Sequence, residues 1–321
     1  MLERVAISML VSATALASLA VILFAQPAAL PQAGSQAAPQ GSAHVNPDAP
    51  PPTDAEIRAR TKRVTENQHK NDEALEQYER IERHLDRTGG SNPRTVEDDT
   101  YRVVPTGGGT MKLLLKDGDK PIDPAAYRQQ LQLLENILEM MSQPNNSRGK
   151  AALEKYERRK RERAEFVDAA SEAYLTKWVG RETYNGRDCD VVELDPNPNF
   201  HPRSMFQSAL AHVAAKVWVD HEADQIVRGE AHVLSDISFG GGILGKLYRG
   251  GVVSMDQAEV APGIWLATRT QYDFSGRKFL FPFEQHQTIE ASHYRRIGPP
   301  AEALTVVQSE LTNGKTTFRD P

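Results

Sequence analysis

The sequence predicts an α+β fold in which about ten antiparallel strands form a sheet that is covered by helices. Short turns join most of the alternating apolar segments, and short connections favour antiparallel neighbours. Two helical segments are inserted between the third and fourth strands, so strands and helices do not alternate as they do in parallel α/β proteins. From residue 173 onward the pattern is that of strands alone.

Capping signals and apolar spacing place three helices. Thr53 and Glu56 form a capping box that opens a helix to about residue 74. Asp123 followed by Pro124 begins the second helix. Its apolar side chains recur at helical spacing: Tyr127, Leu131, Leu134, Leu138 and Met141. The third helix, from about 150 to 170, pairs acidic with basic side chains at i, i+4, which is typical of a solvated face; the alternative is contact with anionic headgroups.

Alternation and turn signals place the strands. They are predicted at 77–87, 96–104, 111–115, 173–184, 188–194, 213–219, 225–234, 250–260, 264–274 and 283–294. Asn185-Gly186, between the fourth and fifth strands, is the strongest short hairpin signal. The last segment, 298–321, begins with Gly-Pro-Pro and is predicted to be a loose C-terminal tail.

The N-terminal region has the features of an export signal. Residues 5–24 contain no charge and follow Arg4, so residues 1–25 are predicted to be a signal peptide cleaved after Ala25. The alternative is a retained anchor, because about 20 apolar residues are enough to span a bilayer. Residues 26–52 are rich in Pro, Ala and Gln and are predicted to be a disordered spacer. The folded domain is therefore predicted at 53–297.

The composition excludes several classes of protein and site. With 25% charged residues, the chain is not a multi-span membrane protein, and its net charge of −5 gives no basic excess for nucleic acid. Its single cysteine, Cys189, excludes an intrachain disulfide, a cysteine-based zinc site and an iron–sulfur cluster. Because Cys189 alternates with Val191 in a predicted strand, we interpret it as a small core residue.

A glycine-rich segment at 240–246 resembles a phosphate-binding loop but lacks its hydroxyl, since Leu247 stands at that position. We interpret it as a flexible loop with apolar tips at Ile243, Leu244 and Leu247; the alternative is a gate to a ligand cavity. The nine histidines form no H-x-x-x-H pair on a predicted helix, and no serine lies in a G-x-S-x-G setting. No catalytic residue, metal site or cofactor is therefore predicted.

Three phrases in residues 178–274 resemble the periplasmic lipoprotein-carrier superfamily, the LolA/LolB-like and RseB-like domains. The first is the hairpin Val179–Pro196, with Gly180, Glu182 and Gly186. The second is Lys216–Asp220 followed by Gln225–Arg228, a hydrophobic-W-hydrophobic-D hairpin that ends in Arg. The third is Gly263–Leu266, which is followed by Ala267 at the position where the family usually has Pro.

The resemblance implies a strongly curved antiparallel sheet, a half-open barrel, with helices covering its concave face. It also implies an exported, periplasmic binding protein that is not an enzyme and whose ligand is apolar or acylated: a lipid, an acyl chain or a lipoprotein. If residues 5–24 are not cleaved, we expect a tether to the inner membrane. The helix 124–142 is expected to cover the sheet and to form a cavity with it. Its expected lining is Leu131, Leu134, Leu138, Val217, Val227, Leu266 and Phe274.

Two other functions stay open at this point. The same fold can serve as an envelope interaction or regulatory module that binds a partner protein and no small molecule. A filled interior with an exposed apolar patch favours that function, whereas a cavity larger than a few waters favours ligand binding. An enzyme would require carboxylates or histidines that cluster in a cleft.

Overall fold

The computed structural model describes residues 52–88, 94–143, 145–204, 207–239, 242–279 and 281–314. The helices are α1 (Asp54–Leu75), α2 (Pro124–Ser142), α3 (Ser147–Ala173) and α4 (Pro300–Asn313), with a 3₁₀ helix at Gln207–His212. The strands are β1 (Tyr78–Thr88), β2 (Arg94–Pro105), β3 (Thr110–Asp117), β4 (Lys120–Pro121), β5 (Tyr174–Tyr184), β6 (Arg187–Pro196), β7 (Val213–Asp220), β8 (Ile226–Val233), β9 (Ile237–Phe239), β10 (Gly245–Leu247), β11 (Val252–Ala261), β12 (Ile264–Lys278) and β13 (Phe281–Arg296). The predicted signal and nearly all of the predicted spacer lie outside the described residues.

Hydrogen bonds join the strands in the order β4-β3-β2-β1-β13-β12-β11-β8-β7-β6-β5. Outside this order, β10 pairs with both β12 and β9. Every described pair with a defined register is antiparallel. The order has two ends, so the α+β class with a large, open antiparallel sheet is confirmed. Its curvature into a half-barrel stays a prediction.

The chain divides into two compact units. Of the described residues, the first unit contains those up to Lys70, those between Leu85 and Glu97 and those between Arg163 and Ile289. The second contains those between Asn71 and His84, between Asp98 and Glu162, and from Glu290 to 314. Each unit has its own apolar clusters, and each is described separately below.

All ten predicted strands are present, with ends that differ by a few residues from those predicted. The additional strands β4, β9 and β10 have two or three residues each, too few to show alternation in a sequence. The predicted capping box at Thr53 and the predicted N-cap at Asp123 are also present. The amide of Glu56 donates to Thr53 Oγ1 at 3.3 Å, and the amide of Ala125 donates to Asp123 Oδ1 at 2.8 Å.

The prediction of a loose C-terminal tail was wrong for residues 300–313, which form α4. Pro300 stands at its first turn, where proline is well tolerated, so the Gly-Pro-Pro sequence starts a helix instead of releasing the chain. Ala303 and Val307, one turn apart, are both fully buried. They pack with Leu134 and Leu138 of α2 in the second unit.

One face of the first unit's sheet carries a large apolar cluster, here called the main cluster. Phe166, Ala169 and Ala173, at the end of α3, pack against the strands in it. Its strand residues are Val213, Ala215, Val217, Val219, Ile226, Ala231, Val233, Ile237, Phe239, Leu247, Val253, Met255, Tyr272, Phe274 and Ile289. The last turns of α3 therefore serve as a cover for this sheet face.

Alternate residues of a strand point to opposite faces of the sheet, and residues on the other face form a second cluster in the same unit. This Trp cluster contains Cys189, Val191, Trp218, Val227 and Trp265. The indole nitrogen of Trp218 donates to Glu182 Oε2 at 2.7 Å. The guanidinium of Arg187 lies 4.5 Å from the ring centre of Trp265, and that of Arg228 lies 5.7 Å from Trp218. Each of the three sequence phrases that resemble the carrier superfamily contributes at least one residue to this cluster. The residues behind the resemblance therefore serve to pack one face of the sheet.

A buried ion network holds the second unit together. Arg102 is 0% exposed; its Nε donates to Glu79 at 2.8 Å, and its terminal nitrogens donate to Glu310 at 2.7 and 3.1 Å. Tyr127 Oη accepts a further bond from Arg102 at 3.1 Å, and Arg295 pairs with Glu79. Burial alone would lower the pKa of Arg102, but the Glu79 and Glu310 carboxylates raise it above its ordinary value.

Replacing Glu310 with Ala should destabilise the protein by about 3–5 kcal/mol, because the substitution leaves the Arg102 charge buried without one of its carboxylates. Chemical denaturation measures this loss. The matched control on the same helix is Glu302→Ala, whose side chain is 58% exposed and should cost no more than about 0.5 kcal/mol. Equal losses for the two variants would contradict a structural role for the network.

Candidate functional site

The seven residues predicted to line one cavity are all buried, but they fall in different parts of the structure. Leu131, Leu134 and Leu138 pack in the second unit with Val104 and Leu113. The remaining four lie in the first unit: Val217 and Phe274 in the main cluster, Val227 in the Trp cluster, and Leu266 in β12. The structure therefore does not bring the seven together in one cluster.

The expected cover of the sheet is corrected accordingly. The apolar stripe of α2 faces β3 and α4, and α4 was missed from the sequence. The strand face with Val217 and Phe274 is covered by Phe166 and Ala169 of α3, a helix interpreted from its charges as solvated. Phe166, Val167 and Ala169 lie after the charged run, in the second half of the helix, and they supply the contact.

Truncating Leu134 to Ala should cost about 2–5 kcal/mol in the free energy of unfolding, as for close-packed leucines, because Leu134 is 0% exposed. The control is Leu133→Ala on the same helix, where the side chain is 54% exposed. A small cost at Leu134, together with altered uptake of a fluorescent fatty acid, would instead identify α2 as a wall of a ligand cavity.

The most unusual surface lies where β9, β10, β12 and β13 meet in the first unit. We call it the apolar tip and define it by five residues: Ile243, Leu244, Tyr248, Phe279 and Phe281. These are 75%, 52%, 37%, 44% and 76% exposed, and they are five of the ten large apolar side chains exposed in the described part of the chain. Ile243 and Leu244 were predicted as loop tips; Leu247 was not correctly placed, because β10 turns it into the main cluster.

Backbone contacts between β10 and β12 bring the two halves of the tip together. Gly245 pairs with Lys278, and the amide of Phe279 donates to the Leu244 oxygen at 3.3 Å. A Cβ at Gly276 would collide with the backbone oxygen of Lys246 and would lie 2.9 Å from the ring of Phe283. Glycine at 276 therefore allows the close approach on which the tip depends.

Phe279 adopts a backbone conformation that a bulky residue rarely takes. Its φ is +54°, in the left-handed region. The β5–β6 turn meets the same requirement with Asn185 and Gly186, at φ +49° and +77°, which are the residue types that tolerate it best. A phenylalanine kept in such a conformation stores about 1–3 kcal/mol of strain, and strain of this kind concentrates at functional sites.

The tip is flanked along the chain by residues of the main cluster. Phe239 and Leu247, which flank the loop that carries Ile243 and Leu244, are buried members of that cluster. On the other side of the tip, Phe274 of β12 is also a member, and Phe283 of β13 packs against the cluster. The exposed tip thus adjoins, in sequence, strands that contribute to the main cluster.

The charges around the tip are basic. The segments 242–249 and 275–283 contain Lys246, Arg249, Arg277 and Lys278 and no carboxylate, although the whole chain has a net charge of −5. Arg277 Nη2 donates to the Gly242 oxygen at 3.3 Å. The tip therefore combines exposed aromatic and aliphatic groups with a rim of cations.

A polar cluster elsewhere in the first unit attaches α1 to the ends of two hairpins. Asp190 accepts hydrogen bonds from His221 at 2.7 Å and from Trp178 at 3.1 Å, and it pairs with Arg60 of α1. Arg181 lies 3.3 Å from the same carboxylate. Burial alone would raise the pKa of Asp190, but these hydrogen bonds and the two arginine charges hold that pKa below its ordinary 3.8. Asp224 of the same region pairs with Arg60 and Arg63, and Val64 packs against the main cluster, so α1 is attached by both polar and apolar contacts.

The lowered pKa sets the direction of a pH dependence. A carboxylate whose pKa is lower in the folded protein than in the unfolded chain stabilises the fold at pH values above its ordinary pKa. This stabilisation is lost as the pH falls through the pKa of the folded state. Asp190→Asn should therefore lower the free energy of unfolding at pH 7 and flatten its decline below about pH 4. Denaturation at several pH values measures both effects. An unchanged decline in the variant would show that Asp190 is not the group that titrates.

The single cysteine is a core residue, as predicted. Cys189 is 0% exposed in the Trp cluster, and burial raises the pKa of its thiol to about 12. Within the described ranges, no group of three His, Cys, Asp or Glu side chains is arranged to hold a metal ion. None of the described helices is both long enough and apolar enough to span a membrane.

The aromatic half of the tip was not predicted. One predicted strand ended at 274 and the next began at 283, which left Phe279 and Phe281 in an unassigned connection. A usable signal was present, because three phenylalanines between residues 279 and 283 are unusual in a turn. The buried Arg102 network was also not predicted, because nothing in the polar, partly alternating pattern of residues 96–104 marks Arg102 as buried.

Comparison with known proteins gives structural similarity only. No family model matches the chain, and no curated protein matches its sequence. An outer membrane lipoprotein-sorting protein domain from Vibrio parahaemolyticus is 12% identical; the match covers 73% of this chain and 92% of that domain, with a TM-score of 0.30. A DUF1329 family protein from Desulfovibrio piger is 12% identical, with coverages of 75% and 92% and a TM-score of 0.28.

A LolA superfamily protein from Nitrosomonas europaea is 11% identical, with coverages of 77% and 96% and a TM-score of 0.31. The solved structures to which this chain is similar thus include a member of the superfamily that its three sequence phrases resemble. TM-scores near 0.3 describe partial superpositions, and the fold given above rests on the hydrogen-bonded order of the strands.

Proposed function

We propose that this protein is an exported, non-enzymatic binding domain for an apolar or acylated ligand, such as a lipid, an acyl chain or a lipoprotein. The observation that supports the proposal is the apolar tip, whose first loop is flanked by Phe239 and Leu247 of the main cluster. Among the seven sequence-predicted residues, Val217 and Phe274 belong to that cluster, and we propose them as the inner wall of the ligand site.

Exposure of the tip has an energetic cost that binding would offset. Apolar surface removed from water gains about 25 cal/mol per Å², and burying one large apolar side chain gains about 1.5–3 kcal/mol. Phe281 and Ile243 are about three-quarters exposed, so most of this gain is available to a ligand. An acyl chain is the ligand chemistry that matches aromatic and aliphatic side chains with few polar groups between them.

The proposal places the protein in the periplasm, delivered by residues 5–24. N-terminal sequencing of protein isolated from the cell envelope distinguishes the two forms of this proposal. A mature chain that begins at Gln26 means cleavage, and a chain that retains residues 5–24 means a tether to the inner membrane.

A second candidate is an envelope interaction module that binds a partner protein and no small molecule. The exposed tip favours it as well, because contiguous exposed apolar side chains often mark protein interfaces. The two candidates differ in one respect: only the first requires the isolated protein to bind a free acyl chain.

Titration of the full chain with a dansylated fatty acid separates them. The first candidate predicts saturable binding that an unlabelled fatty acid displaces. Phe279→Asn should weaken this binding by about tenfold, which corresponds to about 1.4 kcal/mol of lost apolar contact. The same substitution should leave thermal stability equal or higher, because asparagine tolerates the left-handed conformation that strains Phe279.

The matched control is Leu175→Asn, which removes a 54% exposed side chain from β5 of the same unit and should leave binding unchanged. No saturable binding by the unsubstituted chain would rule out the first candidate and leave the interaction module. Equal weakening by both variants would show that the fatty acid binds exposed apolar surface without selecting the tip.

A further inference from the structure

We propose that the apolar tip docks on the surface of an anionic lipid bilayer, with Ile243, Leu244, Phe279 and Phe281 entering the membrane interface and the surrounding cations contacting headgroups. The proposal uses the same tip as the proposed function, but it does not depend on binding of a free acyl chain. Its occupant is the membrane itself, and a partner protein is the alternative that the experiment tests.

The two turns present an apolar surface of the kind that enters membrane interfaces. They carry four side chains without hydrogen-bonding groups, two aromatic and two aliphatic, and these are between 44% and 76% exposed. Phenylalanine and leucine are side chains that proteins place in the boundary between headgroups and acyl chains.

The cations lie one or two residues behind the apolar side chains along the strands. Lys278 and Arg277 precede Phe279 by one and two residues, and Lys246 follows Leu244 by two. A strand advances about 3.3 Å per residue, so these cations stand roughly 3–7 Å behind the apolar side chains. Interfacial elements bury their apolar groups by about 5–10 Å, which would bring the cations to the level of the headgroups.

The local charge at the tip is positive. The two tip segments contain four cations and no carboxylate in a chain whose net charge is −5, so an anionic surface is attracted to this part of the protein. The nearest carboxylates in the sequence are Asp236, Asp273 and Glu284, outside those segments. Asp236 pairs with Lys246 at 2.7 Å and accepts a hydrogen bond from the amide of Arg249 at 2.9 Å, so the attraction depends mainly on Arg277 and Lys278.

A fluorescent label at the tip tests docking directly. The variant Phe281→Cys in the full chain is labelled with the environment-sensitive dye NBD; Cys189 is 0% exposed and should not react. Vesicles of phosphatidylglycerol and phosphatidylcholine are expected to shift the NBD emission to the blue, and pure phosphatidylcholine vesicles and high salt are expected to reduce the shift. The label at Leu133→Cys, a 54% exposed position on α2, should not respond. Because the readout is local, attachment by residues 5–24 does not produce it.

Charge reversal supplies the second arm. Arg277→Glu combined with Lys278→Glu should abolish the difference between anionic and neutral vesicles. The control, Lys62→Glu with Arg203→Glu, makes the same charge change at side chains that are 79% and 80% exposed and should retain the difference. No blue shift at position 281 with any vesicle would overturn the proposal in favour of a protein partner. An equal shift with both vesicle types would overturn the role of the cations. The fatty-acid titration contains no vesicles, so its outcome is independent of this one.

Discussion

The first unit is governed by the need to bury apolar side chains on both faces of one antiparallel sheet. Strand β7 shows the constraint at single-residue resolution, because Val217 and Val219 belong to the main cluster and Trp218, between them, belongs to the Trp cluster. The end of α3 covers the first face. On the second face, the guanidinium groups of Arg187 and Arg228 lie over the rings of Trp265 and Trp218, so side chains of the sheet itself cover these rings. The apolar tip is the part of this arrangement at which apolar side chains are left in water.

Both units use arginine–carboxylate contacts where a helix meets strands. In the second unit, Arg102 in β2 joins Glu310 of α4, and in the first unit Arg60 of α1 joins Asp190 of β6. The contacts differ in burial, since Arg102 is 0% exposed and the side chain of Arg60 is 20% exposed. A fully desolvated pair is costly to break from one side, because the remaining charge has no water to replace its partner. A pair that reaches solvent holds a helix less strongly and depends more on pH and salt.

The sequence predicted the parts of the fold that depend on local patterns. Alternation, Asn185-Gly186, and the caps at Thr53 and Asp123 are properties of short segments, and all of them appear in the structure. The pairing of α2 with α4 could not be predicted, because an apolar stripe such as Leu131, Leu134 and Leu138 does not specify what covers it. The tip was half predicted: Ile243 and Leu244 stand in an obvious loop, whereas Phe279 lies in a conformation that no sequence pattern assigns to phenylalanine.

Acyl chains are proposed to bind at the apolar tip of the first unit, and photo-crosslinking of a diazirine-bearing fatty acid to the full chain, followed by peptide mass mapping, locates the binding site. If acyl chains bind at the tip, crosslinks should concentrate in residues 242–248 and 274–283, and an unlabelled fatty acid should compete with them. Crosslinks confined to the α2 peptide 124–142, or labelling that no fatty acid reduces, would show that the tip is not an acyl-chain site.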